Sequence, residues 1–245
     1  MTRPRDAAPA AVSNAHAVAT ARDATTRADG DAGTARGRAK AERRAALLAA
    51  AARLFAARGF DGVTLDDIGA AVGVSGPAVY RHVPGKQALL AAILVDVSER
   101  LLEGGRTVSA TARSTPSDPD VPGLVSAGTA GGPAPAASPV LSALVDFHVA
   151  FALAEADVIR VQDRDLDRLS AADRRAVRDR QNDYVAVWTD ALADAFPGAE
   201  TPAERRVRAL ACFALINSTP HSLRGVPAAR VRSTLTRMAL AALTA

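Results

Sequence analysis

The sequence predicts an all-α fold, and three observations carry that expectation. Hydrophobic residues make up 49% of the chain with alanine prominent among them, and only 4% of the chain is aromatic. Apolar side chains recur at three- and four-residue steps through most of its length. Such a composition favours closely packed helices over sheets, and the 245 residues suffice for a small helical head joined to a larger bundle.

The expected elements follow in order. Residues 1–38 are rich in Ala, Thr, Asp and Arg without an apolar stripe, and are expected to be a disordered tail. From Lys40, residues Leu47, Leu48, Ala51, Leu54 and Phe55 form one apolar face, closed by Gly59. A second, short helix starts at Thr64, with Asp67 three positions on as an approximate capping box, and stops at Gly73. A third starts at Ser75, tolerates Pro77 in its first turn and runs to His82, with Pro84 beyond. Helix four begins near Gly85 and carries Leu89, Ile93, Val97 and Leu101. Residues 104–138, which include Gly131-Gly132-Pro133, read as a mobile loop. Further helices are expected over 139–156, 158–169, 171–196, 202–217 and 227–243, with starts marked by Ser170 and by Thr201-Pro202-Ala203-Glu204. The head therefore spans 39–86 and the bundle 87–245.

Composition also narrows the function. The net charge is +4, a mild basic excess compatible with nucleic acid, and nearly all of it is arginine, the lysines being Lys40 and Lys86. A single cysteine, Cys212, allows no intramolecular disulfide and points to a reducing compartment. No stretch approaches the roughly 18 apolar residues of a membrane span, so a cytoplasmic protein without membrane contact is expected. His16, His82, His148 and His221 are scattered without metal-ligand spacing. Asp163, Asp165 and Asp167 imitate the start of a calcium loop, but Arg168 and Arg174 stand where glycine and glutamate are required. Neither an enzyme, a metal nor a cofactor is expected.

The informative segment is Val63 to Lys86. Two short helices with Ile68, Val72, Val74 and Val79 facing inward, joined at a glycine, have the physics of a helix-turn-helix, although an ordinary αα-hairpin would share them. Thr64, Ile68-Gly69, Gly73-Val74-Ser75, Tyr80-Arg81-His82-Val83 and Lys86, extended by Leu54-Phe55 and Gly59-Phe60, closely resemble the DNA-binding domain of TetR-family regulators. Gly69 and Val83 depart from that family's usual alanine and phenylalanine, and Pro77 sits inside the recognition helix.

The resemblance implies a dimeric repressor that binds a double-stranded operator and is released by a small-molecule effector. It implies that Thr64, Tyr80, His82 and Lys86 contact phosphates, and that Ser75, Gly76, Pro77, Ala78 and Arg81 face the bases. Of these only Arg81 can pair with guanine in bidentate fashion. Arg36, Arg38 and Lys40, with Arg43 and Arg44, could reach phosphates or a minor groove, or form a solvated charged terminus.

For the bundle the resemblance implies an effector-binding and dimerisation domain whose last two helices pair across a two-fold axis. Val207, Leu210, Ala211, Ala214 and Leu215 form one candidate face, and Val231, Leu235, Met238, Ala239 and Ala242 the other, although both would equally serve an intramolecular core. Candidate ligand residues are Phe147, His148, Phe151, Tyr184, Trp188, Phe213, Asn217 and His221, which combine apolar surface with a few polar tips. Residues 158–168 resemble TetR-like regulators near lipid and acyl-CoA metabolism, which suggests an acyl-CoA or another largely apolar effector, with Arg160 available to its phosphates. Two alternatives remain open: a redox sensor switching through Cys212, and a helical-bundle enzyme or binding protein without DNA activity.

Overall fold

The computed structural model describes residues 13–115, 138–218 and 225–244, and these form nine α-helices with one short 3-10 turn and no strand. The chain divides into two compact units, Met1–Leu47 and Leu48–Ala245. Helix α1 spans Ser13–Arg58. The expected disordered tail is therefore helical from Ser13 onward, because alanine and arginine, which dominate it, are strong helix formers even without an apolar face.

In the second unit α1 ends at Gly59, whose φ of +82 only glycine adopts readily. Helix α2 spans Leu65–Ala71 and α3 only Gly76–Val79, with hydrogen-bonded turns carrying the chain on to His82 and Val83. The third helix is thus shorter than the expected 75–82: Pro77 occupies its first turn and Pro84 follows closely. Phe55, Val63, Ile68, Val79, Val83, Leu89 and Leu90 are buried, whereas Val72 and Val74 are half-buried.

Helix α4 runs Lys86–Ser114, ten residues past the break expected at Gly104. Gly104 and Gly105 do not end the helix; they let other helices approach it. A Cβ on Gly104 would lie 2.2 Å from the Phe147 ring, and one on Gly105 would lie 2.4 Å from the Tyr184 ring. Helices α5 (Pro139–Ala154), α6 (Ala156–Asp165), α7 (Ala171–Ala195), α8 (Pro202–Asn217) and α9 (Ala228–Thr244) complete the chain. A 3-10 turn, Leu166–Arg168, extends α6.

The bundle follows from apolar faces that match. Helix α4 packs on α5 and α7, α5 on α9, α7 on α8, and α8 on α9. Trp188, Leu192, Leu144, Val145, Cys212, Ile216, Leu235 and Ala239 lie in one continuous core. Of the two readings open for the α9 stripe, Val231, Leu235 and Ala239 follow the intramolecular one and serve the chain's own core, leaving Met238 and Ala242 outside.

Two helix starts are fixed by reciprocal caps. Thr64 and Asp67 form a full capping box, and so do Thr201 and Glu204. Hydrogen bonds from Thr201 hold the Glu204 carboxyl below its ordinary value, as those from Thr64 do for Asp67. Thr201→Ala is expected to cost about 1 kcal/mol, read as a lower urea midpoint with an unchanged slope.

Candidate nucleic-acid interface and effector cavity

The head is shaped by a tight turn. Gly69 O accepts from the N–H groups of Val72 (3.1 Å) and Val74 (2.9 Å), and Gly73 has a φ of +73. A side chain at Gly69 would bring its Cβ to 2.6 Å from Val74 O, so glycine there fits the closeness of the turn. Gly76 is buried beneath α2, and its Cβ would fall 1.5 Å from Asp66 Oδ1. It therefore faces α2 and not the solvent, against the expectation that it lies among the base-facing residues.

Ser75, Pro77, Tyr80 and Arg81 are exposed, Tyr80 at 61%, so Tyr80 is not a packing residue. Ala78 and His82 are half-buried. Thr64 is exposed, but its hydroxyl donates to Asp67 Oδ2 at 2.6 Å and accepts from the Asp67 N–H at 3.1 Å. Lys86 is turned inward: Nζ donates to Val63 O at 2.9 Å and stands 4.4 Å from the centre of the Phe60 ring. Since α4 starts at Lys86, this contact ties the helix to the loop before α2. In the N-terminal unit Arg38, Lys40, Arg43 and Arg44 are exposed, and the side chain of Arg36 lies outside the described residues.

The bundle encloses a cavity of about 170 Å³ between α4, α5, α6, α7 and α8. Expected residues His148, Phe151, Tyr184, Phe213 and Asn217 line it. Trp188 stands behind them, edge-on to His148 and Phe213. Phe147 faces a separate surface hollow beside Gly104, because the α5 helical step turns it away from its neighbour His148. His221 lies outside the described residues. Sequence reading missed the contribution of α4, through Val97, Ser98 and Leu101, and missed Gln162 and Gln181. The signal for the glutamines was their lack of charge within strongly charged helices.

No lining residue of this cavity carries a formal charge. Its polar centre is His148, with Nδ1 3.0 Å from the Tyr184 hydroxyl and Nε2 3.2 Å from Asn217 Oδ1. The amide oxygen can only accept, so the ring proton sits on Nε2, and Nδ1 accepts from the Tyr184 O–H. The imidazole lies nearly parallel to the rings of Phe213 (4.8 Å, 10°) and Tyr184 (5.7 Å, 13°), which are 5.4 Å from each other. Burial lowers the His148 pKa to about 4 and raises that of Tyr184, keeping both neutral near pH 7.

Gln162 and Gln181 also line a separate outer hollow of about 310 Å³, together with Asp163, Arg164, Leu166, Asp167 and Arg178. Arg160, expected near a phosphate, lies outside that lining and pairs with Asp157 at 3.5 Å. Of the calcium-like aspartates, Asp165 binds Arg164 and Asp167 binds Arg174. No cluster able to hold a metal ion occurs among the described residues. Cys212 is buried and its thiol is pushed up to about 12 by desolvation, which removes the activated thiolate that a redox switch requires. No single helix among the described residues is long and apolar enough to cross a membrane.

Family models match two parts of the chain, together more than half of it. The one described as bacterial regulatory proteins, tetR family, covers residues 47–93, and the tetracyclin repressor-like C-terminal domain covers 136–221. The chain is a member of the TetR family. As such it is a DNA-binding transcriptional regulator, with the all-α architecture of that family.

Solved structures share the fold. A tetR-family regulatory protein from Rhodococcus RHA1 is 23% identical with a TM-score of 0.62, over 82% of this chain and 96% of that one. The ketosteroid regulator KstR2 of Mycobacterium tuberculosis is 18% identical with a TM-score of 0.63, over 83% and 95%. AibR, solved with isovaleryl coenzyme A and operator DNA, is 18% identical with a TM-score of 0.60, over 80% and 97%. No curated protein matches the sequence.

Two consequences of the cavity are measurable. The unfolded chain protonates His148 near its ordinary pKa of 6.5, whereas the folded chain does so only near 4. Stability is therefore full above about 6.5 and is lost as pH falls from there toward 4, by about 3 kcal/mol at most from this group. Urea titrations should show that loss in the wild type and a flatter profile in His148→Phe. Gly105→Ala, which drives a Cβ into the Tyr184 ring, should lower stability by about 1–3 kcal/mol in the same assay.

Proposed function

We propose that this TetR-family protein is an operator-binding repressor released by an acyl-CoA whose acyl chain occupies the cavity. The observation that carries the effector class is an uncharged cavity that shares Gln162 and Gln181 with a neighbouring hollow containing Arg164 and Arg178. Burying a carboxylate against such walls would be costly, so a free acid fits poorly, whereas a neutral acyl chain suits them. The amides of Gln162, Gln181 and Asn217 supply donors for a thioester carbonyl, and the arginines lie on the side where a charged carrier would emerge. AibR, in its complex with isovaleryl coenzyme A and operator DNA, offers a precedent within the same fold.

On the DNA side, Ser75, Pro77 and Arg81 form the base-facing edge, with Ala78 behind them. Tyr80, His82 and the Thr64 end of α2 meet the backbone, and Arg38 and Lys40 supply charge from α1. A homodimer would present two such heads about 34–36 Å apart on a pseudo-palindrome. Its interface lies on the outer faces of α8 and α9, where Val207 is 67% exposed and Met238 47%. Apolar side chains so exposed on neighbouring helices favour burial against a second copy.

The test is fluorescence anisotropy on DNA from upstream of the protein's own gene, against shuffled DNA, across a salt series. Tight, salt-sensitive preference for the native fragment is expected. Tyr80→Phe should weaken binding to all sequences, and Arg81→Ala should relax preference at particular base pairs by about 1–3 kcal/mol. Straight-chain acyl-CoAs from butanoyl to dodecanoyl should release the DNA where the matching free acids and coenzyme A do not. Equal release by the free acids would overturn the effector class, and equal binding to both DNAs would overturn the operator reading.

A further inference from the structure

Helix α6 faces two ways. Val158, Ile159 and Gln162 line the effector cavity, and within two to six residues of Gln162 the chain makes hydrogen bonds to three separate parts of the DNA-binding head. Arg164 Nη2 donates to Phe55 O in the last turn of α1, the carbonyl that also accepts the Gly59 N–H at 2.8 Å. Arg168 Nη2 donates to Asp61 Oδ2 at 2.5 Å in the α1–α2 loop, and Gln87 Nε2 at the start of α4 donates to Arg168 O at 2.8 Å.

These ties differ in weight. Arg168 and Asp61 are both more than half exposed, and a solvent-screened pair of that kind contributes little. Arg164 is placed differently. Its partner Asp165 is only 5% exposed and accepts from Nε at 3.3 and 3.2 Å and from Nη2 at 3.0 Å, which fixes the plane of the guanidinium. So oriented, the positive charge sits at the carbonyl end of α1, where the helix dipole favours a cation. Its Cζ lies 3.9 Å from where a side chain on Gly59 would begin. Arg164 also lines the outer hollow, two residues beyond the Gln162 that separates it from the cavity.

We propose that Arg164, aligned by Asp165, is the positioning residue through which occupancy of the effector cavity reaches the DNA-binding head. An occupant that pushes on Val158, Ile159 and Gln162 moves α6. A carrier emerging into the hollow competes for the same guanidinium. Either way Arg164 leaves Phe55 O, and the end of α1 loses the contact that fixes it to the bundle. The inference rests on the effector reading above but adds a specific residue to it.

The test uses the full-length protein with Arg164→Gln and Arg164→Lys, and with Arg160→Gln as a control on the same helix. Operator affinity is measured with and without octanoyl-CoA, and octanoyl-CoA affinity is measured separately. Octanoyl-CoA should lower wild-type and Arg160→Gln operator affinity about tenfold or more. In Arg164→Gln the ratio, measured at octanoyl-CoA concentrations that saturate each variant, should fall to about twofold or less, with Arg164→Lys in between. A wild-type ratio in Arg164→Gln would overturn the proposal.

Amide hydrogen exchange on the ligand-free proteins supplies a second arm. Arg164→Gln should speed exchange at Gly59 and Phe60 about tenfold and leave α8 unchanged. If octanoyl-CoA fails to bind the wild type, the acyl-CoA reading falls and this arm alone decides: unchanged protection at Gly59 and Phe60 would then overturn the latch.

Discussion

Helix α4 has to satisfy two demands on one rod, and the remaining architecture is arranged around it. At one end Lys86 is fixed to Val63 and Phe60. Further along, Val97, Ser98 and Leu101 form a wall of the cavity, and Leu102 enters the bundle core. At 1.5 Å per residue its 29 residues span about 44 Å. A rod of that length joins the two regions only if its hydrogen bonding is unbroken through Gly104 and Gly105. The Phe147 and Tyr184 rings packed over those glycines occupy the space that side chains would have taken, and so hold in place the stretch weakest in helix propensity.

That glycine pair also shows where reading from sequence stops. In a one-dimensional pattern two glycines followed by Ser, Thr and Pro signal an exit from a helix, because the partner rings lie about 40 and 80 residues away. Local signals fared better: Thr64 with Asp67 and Thr201 with Glu204 are caps made within four residues, and both are formed as the spacing suggests. The head's outline was legible for the same reason. The roles of Gly76 and Lys86 were not, since both depend on contacts across the head, with Asp66 and with Val63 and Phe60.

The cavity was legible in its aromatic members and illegible in its character. His148, Tyr184, Phe213 and Asn217 could be singled out as polar or aromatic residues on apolar helices. That the imidazole is neutral, saturated by two neutral partners and walled by uncharged side chains is a property of the assembled bundle. With both ring nitrogens already paired, His148 organises the cavity wall more than it offers a ligand an ionic handle. Selectivity then rests on shape and on the amides around it.

The contact between Asp66 and Gly76 bears on how such a protein can diverge. Because the carboxylate fills the space beside position 76, any larger residue there would have to displace an acidic side chain from a neighbouring helix. Positions 75, 77 and 81, by contrast, are exposed. The head thus sets exposed positions that can change without disturbing a neighbour beside one whose enlargement requires the exposed Asp66 carboxylate to swing aside, so drift in sequence should meet less resistance at the former.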